Sequence, residues 1–296
     1  MKPMLKWAGY GLAGVAALLL VVVGGAFAVS EAMIRWPVDK PEVRLVAARD
    51  QGAAERGRRV AKLNGCHDCH GRQMEGQLFH DEMPIVRAWG PNLSRLMANQ
   101  TDADLDRAIR HGVGADGRRL WIMPSSAFAH LTDQEASDLL AYLRTFRPTG
   151  EAQPRFQVGP VGRLGVLLGK MKSEPDLLRA NGQGLKLVDL GPEHAQGRDL
   201  ARTCIECHGQ QLEGNPMLKS PGLDLVASYE PEDFQRLLHT GIAAGNRKVG
   251  LMTMVAPARF GDLTPEQVQA LQAYLKARAD RRIAQNDVTS AMAQQP

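Results

Sequence analysis

Cys66-His67-Asp68-Cys69-His70 and Cys204-Ile205-Glu206-Cys207-His208 follow one pattern: two cysteines two residues apart, with histidine directly after the second. Thiols at that spacing can add to the two vinyl groups along one edge of a porphyrin, placing the adjoining histidine beneath the iron. The motifs therefore predict two covalently bound haem c groups. Cys66 and Cys69 would attach one, Cys204 and Cys207 the other, with His70 and His208 as proximal iron ligands. The motifs use all four cysteines, leaving none for a disulfide, a catalytic thiol or a further thiolate ligand. Two Cys-X-X-Cys pairs can also close one four-sulfur zinc site. That chemistry gives the histidine after each pair no role and does not account for two matching sites.

The sequence around the motifs repeats as well. His70-Gly71-Arg72-Gln73-Met74-Glu75-Gly76 and His208-Gly209-Gln210-Gln211-Leu212-Glu213-Gly214 share the pattern His-Gly-X-Gln-X-Glu-Gly. Upstream, Gly57-Arg58-Arg59-Val60-Ala61 resembles Gly197-Arg198-Asp199-Leu200-Ala201. Each reads as a short helix running into a haem loop. Downstream, Thr101 with Asp104 has the form of a capping box, followed by Leu105, Ala108 and Ile109 at helical spacing. Its counterpart begins near Ser228 and carries Pro231 in the first turn, where a missing amide costs no helical hydrogen bond. Terminal helices open at Thr132 and Thr264, and both contain Ala-Tyr-Leu before a basic residue, at Ala141–Arg144 and Ala273–Lys276. Strand-like alternation is almost absent.

Helix, haem loop, helix, ligand loop and terminal helix, in duplicate, resemble the class I cytochrome c domain. The fold expected is all-α: an N-terminal transmembrane helix followed by two such domains, at 50–148 and 190–282, with a connector at 149–189 and a polar tail at 283–296. The resemblance implies that the first and last helices of each domain cross, pairing Gly57 with Tyr142 and Gly197 with Tyr274. It also implies that a proline carbonyl orients each proximal histidine, assigned to Pro91 and Pro221.

By the same resemblance, a methionine before the last helix supplies the second iron ligand, a soft donor that raises the reduction potential. Met123, in Ile122-Met123-Pro124, fits that place. In the second domain Met252 and Met254 compete. Gly112 to Met123 and Gly241 to Met252 are both eleven residues, which favours Met252. Counting back from Phe128 and Phe260 places Met254 nearer the register, at six residues against five. Gly250-Leu251-Met252 resembles the ligand loop of similar dihaem cytochromes, and Met252 is the assignment adopted, with Met254 as the alternative. His80, His111, His130, His194 and His239 are the competing donors.

Composition bounds the rest. The chain has 296 residues, only 5% aromatic, so a buried porphyrin would supply much of the apolar area of two small cores. The net charge of +4 is mild, and no basic run interleaved with aromatics points to nucleic acid. Lys2 and Lys6 precede an uncharged stretch, of which Gly9 to Val29 is 21 residues. That is about 31 Å as a helix, the thickness of a bilayer's hydrocarbon core. Trp7, Tyr10 and Trp36 flank it as interfacial aromatics do. Ala26-Phe27-Ala28 also has the form of a signal-peptidase site, but the apolar stretch is longer than a signal peptide's. A single-pass anchor in the bacterial inner membrane is expected, the lysines cytoplasmic and both haem domains in the periplasm.

The resemblance extends to membrane-anchored dihaem cytochromes c, including cytochrome subunits of periplasmic dehydrogenases. It implies an electron carrier that takes electrons from a quinol-oxidising complex or a dehydrogenase and passes them to an oxidase or soluble cytochrome. The alternative is a peroxidase-like dihaem enzyme with one open haem site. A methionine in each expected loop, and no recognisable distal acid–base group, favour the carrier.

Overall fold

The computed structural model describes residues 2–180, 187–216 and 218–293, so connector residues 181–186 and tail residues 294–296 lie outside it. The chain opens with α1, Lys2–Arg35, whose segment Tyr10–Arg35 is long and apolar enough to cross a membrane. An extended strap then runs over the first domain, held by Val38 N to Gly117 O at 2.9 Å and by Ala47 N to the Asp102 carboxylate at 2.8 Å.

In the first domain α2 (Ala53–Leu63) leads to α3 (Cys66–His70). Strands β1 (Gln77–Glu82) and β2 (Val86–Gly90) follow, then α4 (Leu93–Leu96), α5 (Asp102–His111), α6 (Ser125–Phe128) and α7 (Asp133–Leu143). Reciprocal capping boxes fix the starts of α5 and α7, Thr101 with Asp104 and Thr132 with Glu135. Helices α2 and α7 cross at Gly57. A Cβ there would stand 1.9 Å from Asp138 O and 2.8 Å from Tyr142 Cβ, so only glycine permits this approach.

The connector contributes β3 (Gln157–Val158), α8 (Pro160–Leu167) and α9 (Glu174–Ala180). Helix α8 packs on the foot of α1, Val166 meeting Ile34 and Trp121. Trp121 Nε1 donates to Ile34 O at 3.2 Å, and Arg163 pairs with Glu31 at 2.6 Å while lying 3.8 Å over the Phe27 ring.

The second domain repeats the plan with α10 (Ala195–Ala201), α11 (Ile205–His208), α12 (Pro231–Thr240), α13 (Met252–Phe260) and α14 (Pro265–Ala293). At the α10–α14 crossing a Cβ on Gly197 would lie 2.0 Å from Ala270 O and 2.7 Å from Tyr274 Cβ. Pro231 occupies the first turn of α12. The buried apolar residues of both domains join in one continuous cluster, from Ala61, Leu105 and Leu140 to Ala201, Phe234 and Tyr274.

Two features depart from the sequence expectation. The fold is mostly helical but carries a small antiparallel sheet in the order β1-β2-β3, with Gln77 opposite Gly90 and Val86 opposite Val158. Val86, Ala88 and Gly90 are buried at every second position, a period-two pattern too short to stand out against its helical surroundings. Helix α14 also continues past Asp280 to Ala293. Ala279, just before this extension, is fully buried, and Arg278 and Arg282 both pair with Asp224, so packing anchors the helix up to the domain end expected from sequence.

Candidate haem-binding sites

Each Cys-X-X-Cys-His segment is a single helical turn entered from the domain's first helix and left through a left-handed glycine, Gly71 at φ 79° and Gly209 at φ 86°. The next residues fold back identically. Glu75 accepts from Gln73 N at 2.8 Å, and Glu213 from Gln211 N at 2.7 Å. Between them Met74 and Leu212 are fully buried, both at φ 58°, and their carbonyls accept from Ser94 N and Leu223 N at 2.9 Å. Neither Met74 nor Leu212 stands out in the sequence as a candidate site residue. The signal was the shared motif, whose central residue is apolar in both copies.

His70 and His208 are buried. The Pro91 carbonyl lies 3.0 Å from His70 Nδ1, and the Pro221 carbonyl 2.8 Å from His208 Nδ1. A carbonyl only accepts, so Nδ1 carries the hydrogen in both rings and Nε2 keeps its lone pair. Burial holds both pKa values below the usual imidazole value, against the hydrogen bond to the proline carbonyl. The Pro91 contact depends on the chain's close approach, since a Cβ on Gly90 would lie 2.0 Å from Cys69 O.

Cys66 and Cys204 pack against the apolar cluster, and burial pushes the thiols of Cys66, Cys69 and Cys204 up to about 12 and raises that of Cys207. The histidine directly after each thiol pair is the residue that haem attachment uses and a four-sulfur zinc cage does not. Among the described residues no group of three or more His, Cys, Asp and Glu side chains is arranged to hold a bare metal ion. The residues present fit haem: a buried neutral imidazole, a thiol pair and apolar walls at each site.

Met123 lies in the loop before α6, half-buried against the apolar cluster. Met252 is the first residue of α13 and packs on the same cluster, whereas Met254 is 67% exposed. Thr253 sets this register. Its carbonyl would stand 2.0 Å from a Cβ on Gly241, and its hydroxyl accepts from Val249 N at 2.7 Å. Of the competing histidines, His130 Nδ1 meets Ala127 O at 2.5 Å and His239 Nε2 meets Leu263 O at 3.0 Å. His80 lies beside Glu82, and the His194 ring lies edge-on to Tyr274. His111 is half-buried at the end of α5.

Two crossed-helix domains, each with a thiol pair and an oriented histidine beside an apolar core, define a c-type haem protein of two sites. The chain belongs to the cytochrome c family, whose model matches residues 54–147 and 194–279. It is similar to a diheme cytochrome c-type protein of Cereibacter sphaeroides, at 29% identity over 88% of this chain and 96% of that protein. It is also similar to the fructose dehydrogenase cytochrome subunit of Gluconobacter japonicus, at 24% identity over 80% of this chain, which spans 55% of that subunit. The alcohol dehydrogenase (quinone) cytochrome c subunit of Gluconacetobacter polyoxogenes matches at 29% over 31% of this chain and 22% of its own length. The chain is thus a dihaem electron carrier with two covalently bound haem c groups.

Proposed function

We propose that the domains at 50–148 and 190–282 each hold one six-coordinate haem. Cys66, Cys69, His70 and Met123 would serve the first, and Cys204, Cys207, His208 and Met252 the second. Bound haem supplies one-electron chemistry at its iron. The chain's residues keep that chemistry to electron transfer: the proline carbonyls hold each imidazole in one tautomer, and a methionine on the pocket wall leaves no coordination place for substrate. The observation that carries this reading is the half-buried methionine packed on the same apolar cluster as each haem loop.

In this reading α1 crosses the inner membrane with Lys2 and Lys6 on the cytoplasmic side and both haem domains in the periplasm. Helix α8 supports it. Where α8 packs on the foot of α1, Val161, Leu164 and Leu168 are exposed along one face, in place to meet the bilayer surface. The donor is a quinol-oxidising complex or a periplasmic dehydrogenase, and the acceptor an oxidase or soluble cytochrome. The cytochrome subunits named for fructose and alcohol dehydrogenases favour the dehydrogenase.

The test is an optical redox titration of the full-length protein with haem counted per chain. Two low-spin haems, each with the weak red methionine-to-iron band when oxidised, support the carrier. One high-spin haem that binds peroxide would replace it with an enzyme.

A further inference from the structure

Arg259 joins the two haem-binding loops. Its side chain is 8% exposed, at the end of α13 in the second domain. Nε lies 2.9 Å and Nη2 2.8 Å from Asp68 Oδ2, and Nη1 lies 2.8 Å from Glu206 Oε2. Asp68 and Glu206 hold the same place in the two motifs, directly before the second cysteine and two residues before the histidine. One guanidinium thus ties the attachment loop of one haem to that of the other.

The site is built for this side chain. Gly65, at φ 65°, directly precedes Cys66, and a Cβ there would stand 2.1 Å from Arg259 Nη2. The repeat itself does not require arginine: counting from Phe128 and Phe260, the matching residue in the first domain is Ala127. A second tie crosses the same junction, Lys62 of α2 pairing with Asp262 just beyond α13. Arginine stays protonated at any working pH, and its fork of donors can engage two carboxylates at once, which lysine cannot match.

We propose that Arg259 is the positioning residue that clamps the two haem sites together, and that its fixed charge favours the reduced state of both. Each site gains an electron on reduction. A positive charge shared between the loops and shielded from water attracts that electron at either site, with little screening by salt. The two carboxylates oppose it, so the group of three carries one net negative charge with Arg259 present and two without it. This rests on the two-haem reading, and the experiment separates the two.

The midpoint potentials of both haems are measured in the full-length holoprotein and in Arg259→Gln, Arg259→Lys, Asp68→Asn and Glu206→Gln, with haem counted in each. Arg259→Gln should lower both potentials, by a threefold to tenfold change in each reduction equilibrium, tenfold being about 59 mV for one electron. Arg259→Lys should restore most of that shift. Asp68→Asn and Glu206→Gln should raise the potentials, each most strongly at its own haem. A merely structural tie predicts no such reversal of sign and no rescue by lysine. Unmoved potentials in Arg259→Gln, or shifts in one direction from all the neutralising variants, overturn the proposal. If Arg259→Gln loses haem, the two carboxylate variants decide: upward shifts support the charge role, and unmoved potentials overturn it. A parent protein with fewer than two haems refutes the dihaem reading instead.

Discussion

Met252 and Met254 stand on opposite sides of the first turn of α13, Met252 packed on the second domain's core and Met254 67% exposed. Residues two apart on a helix point about 200° apart, so one helix cannot offer both sulfurs to one pocket. Met252→Ala should therefore remove the methionine-to-iron band from one haem and lower its midpoint potential, while Met254→Ala leaves both unchanged. Met123→Ala should do the same to the other haem. Loss of the band in Met254→Ala would reverse the assignment.

The glycines at the helix crossings make a stability prediction. A Cβ on Gly197 would lie 2.0 Å from Ala270 O, a backbone atom that moves only with its helix. Gly57 faces Asp138 O at 1.9 Å in the same way. Alanine at either place should force the helices apart and cost about 1–3 kcal/mol or more, as overpacking does. Thermal unfolding of Gly57→Ala and Gly197→Ala, followed by circular dichroism, measures it. An unchanged melting temperature would mean that the helices separate without cost.

Much of this was legible because covalent haem attachment demands a rigid local motif, and the motif carried its neighbours with it. The Gly57–Tyr142 and Gly197–Tyr274 crossings were implied by the resemblance to class I cytochrome c domains, and a Cβ on either glycine would stand under 3.0 Å from its tyrosine's Cβ. The choice between Met252 and Met254 was harder, because two spacings disagreed. The glycine spacing has a physical cause, the contact between Gly241 and the Thr253 carbonyl, which fixes where the next turn begins. Arg259 was not legible at all. It pairs with Asp68 across 191 residues and with Glu206 across 53, separations that no local pattern shows. The β1–β2 hairpin was missed because its buried positions, Val86, Ala88 and Gly90, make only a short period-two run.

Glu174 gives a pH prediction. It is 5% exposed, and its carboxylate accepts from Ser126 N at 2.7 Å, three residues from Met123. Burial raises its pKa above the usual carboxylate range, against the hydrogen bonds from Ser126. The folded state therefore holds this proton more tightly than the unfolded state. The favourable contribution is complete below the ordinary carboxylate pKa and is lost as pH rises through the raised folded value. Glu174→Gln keeps an acceptor and removes the charge. Relative to the parent it should gain stability with rising pH, about 1.4 kcal/mol for each unit by which the folded value is raised. Denaturant unfolding of both proteins at several pH values checks this, and a difference independent of pH would count against it.

The last prediction concerns the foot of α1. Arg163 reaches from α8 to Glu31 and covers Phe27, which holds α8 where the apolar helix ends. Val161, Leu164 and Leu168 are spaced three and four residues apart and remain more than half exposed. Exposed apolar side chains in a row beside a membrane-crossing helix gain free energy by entering the interface, at roughly 25 cal/mol per Å² of apolar surface removed from water. In full-length protein reconstituted into lipid vesicles, a spin label at Leu164→Cys should therefore be relaxed more by membrane-dissolved oxygen than by a water-soluble paramagnet. A label at Ile283→Cys, 56% exposed on α14, should show the reverse. If both labels report water while the chain stays with the vesicles through a high-salt wash, α1 anchors it and α8 stands clear of the lipid. If the chain washes off, α1 does not hold it in the bilayer and the membrane reading fails.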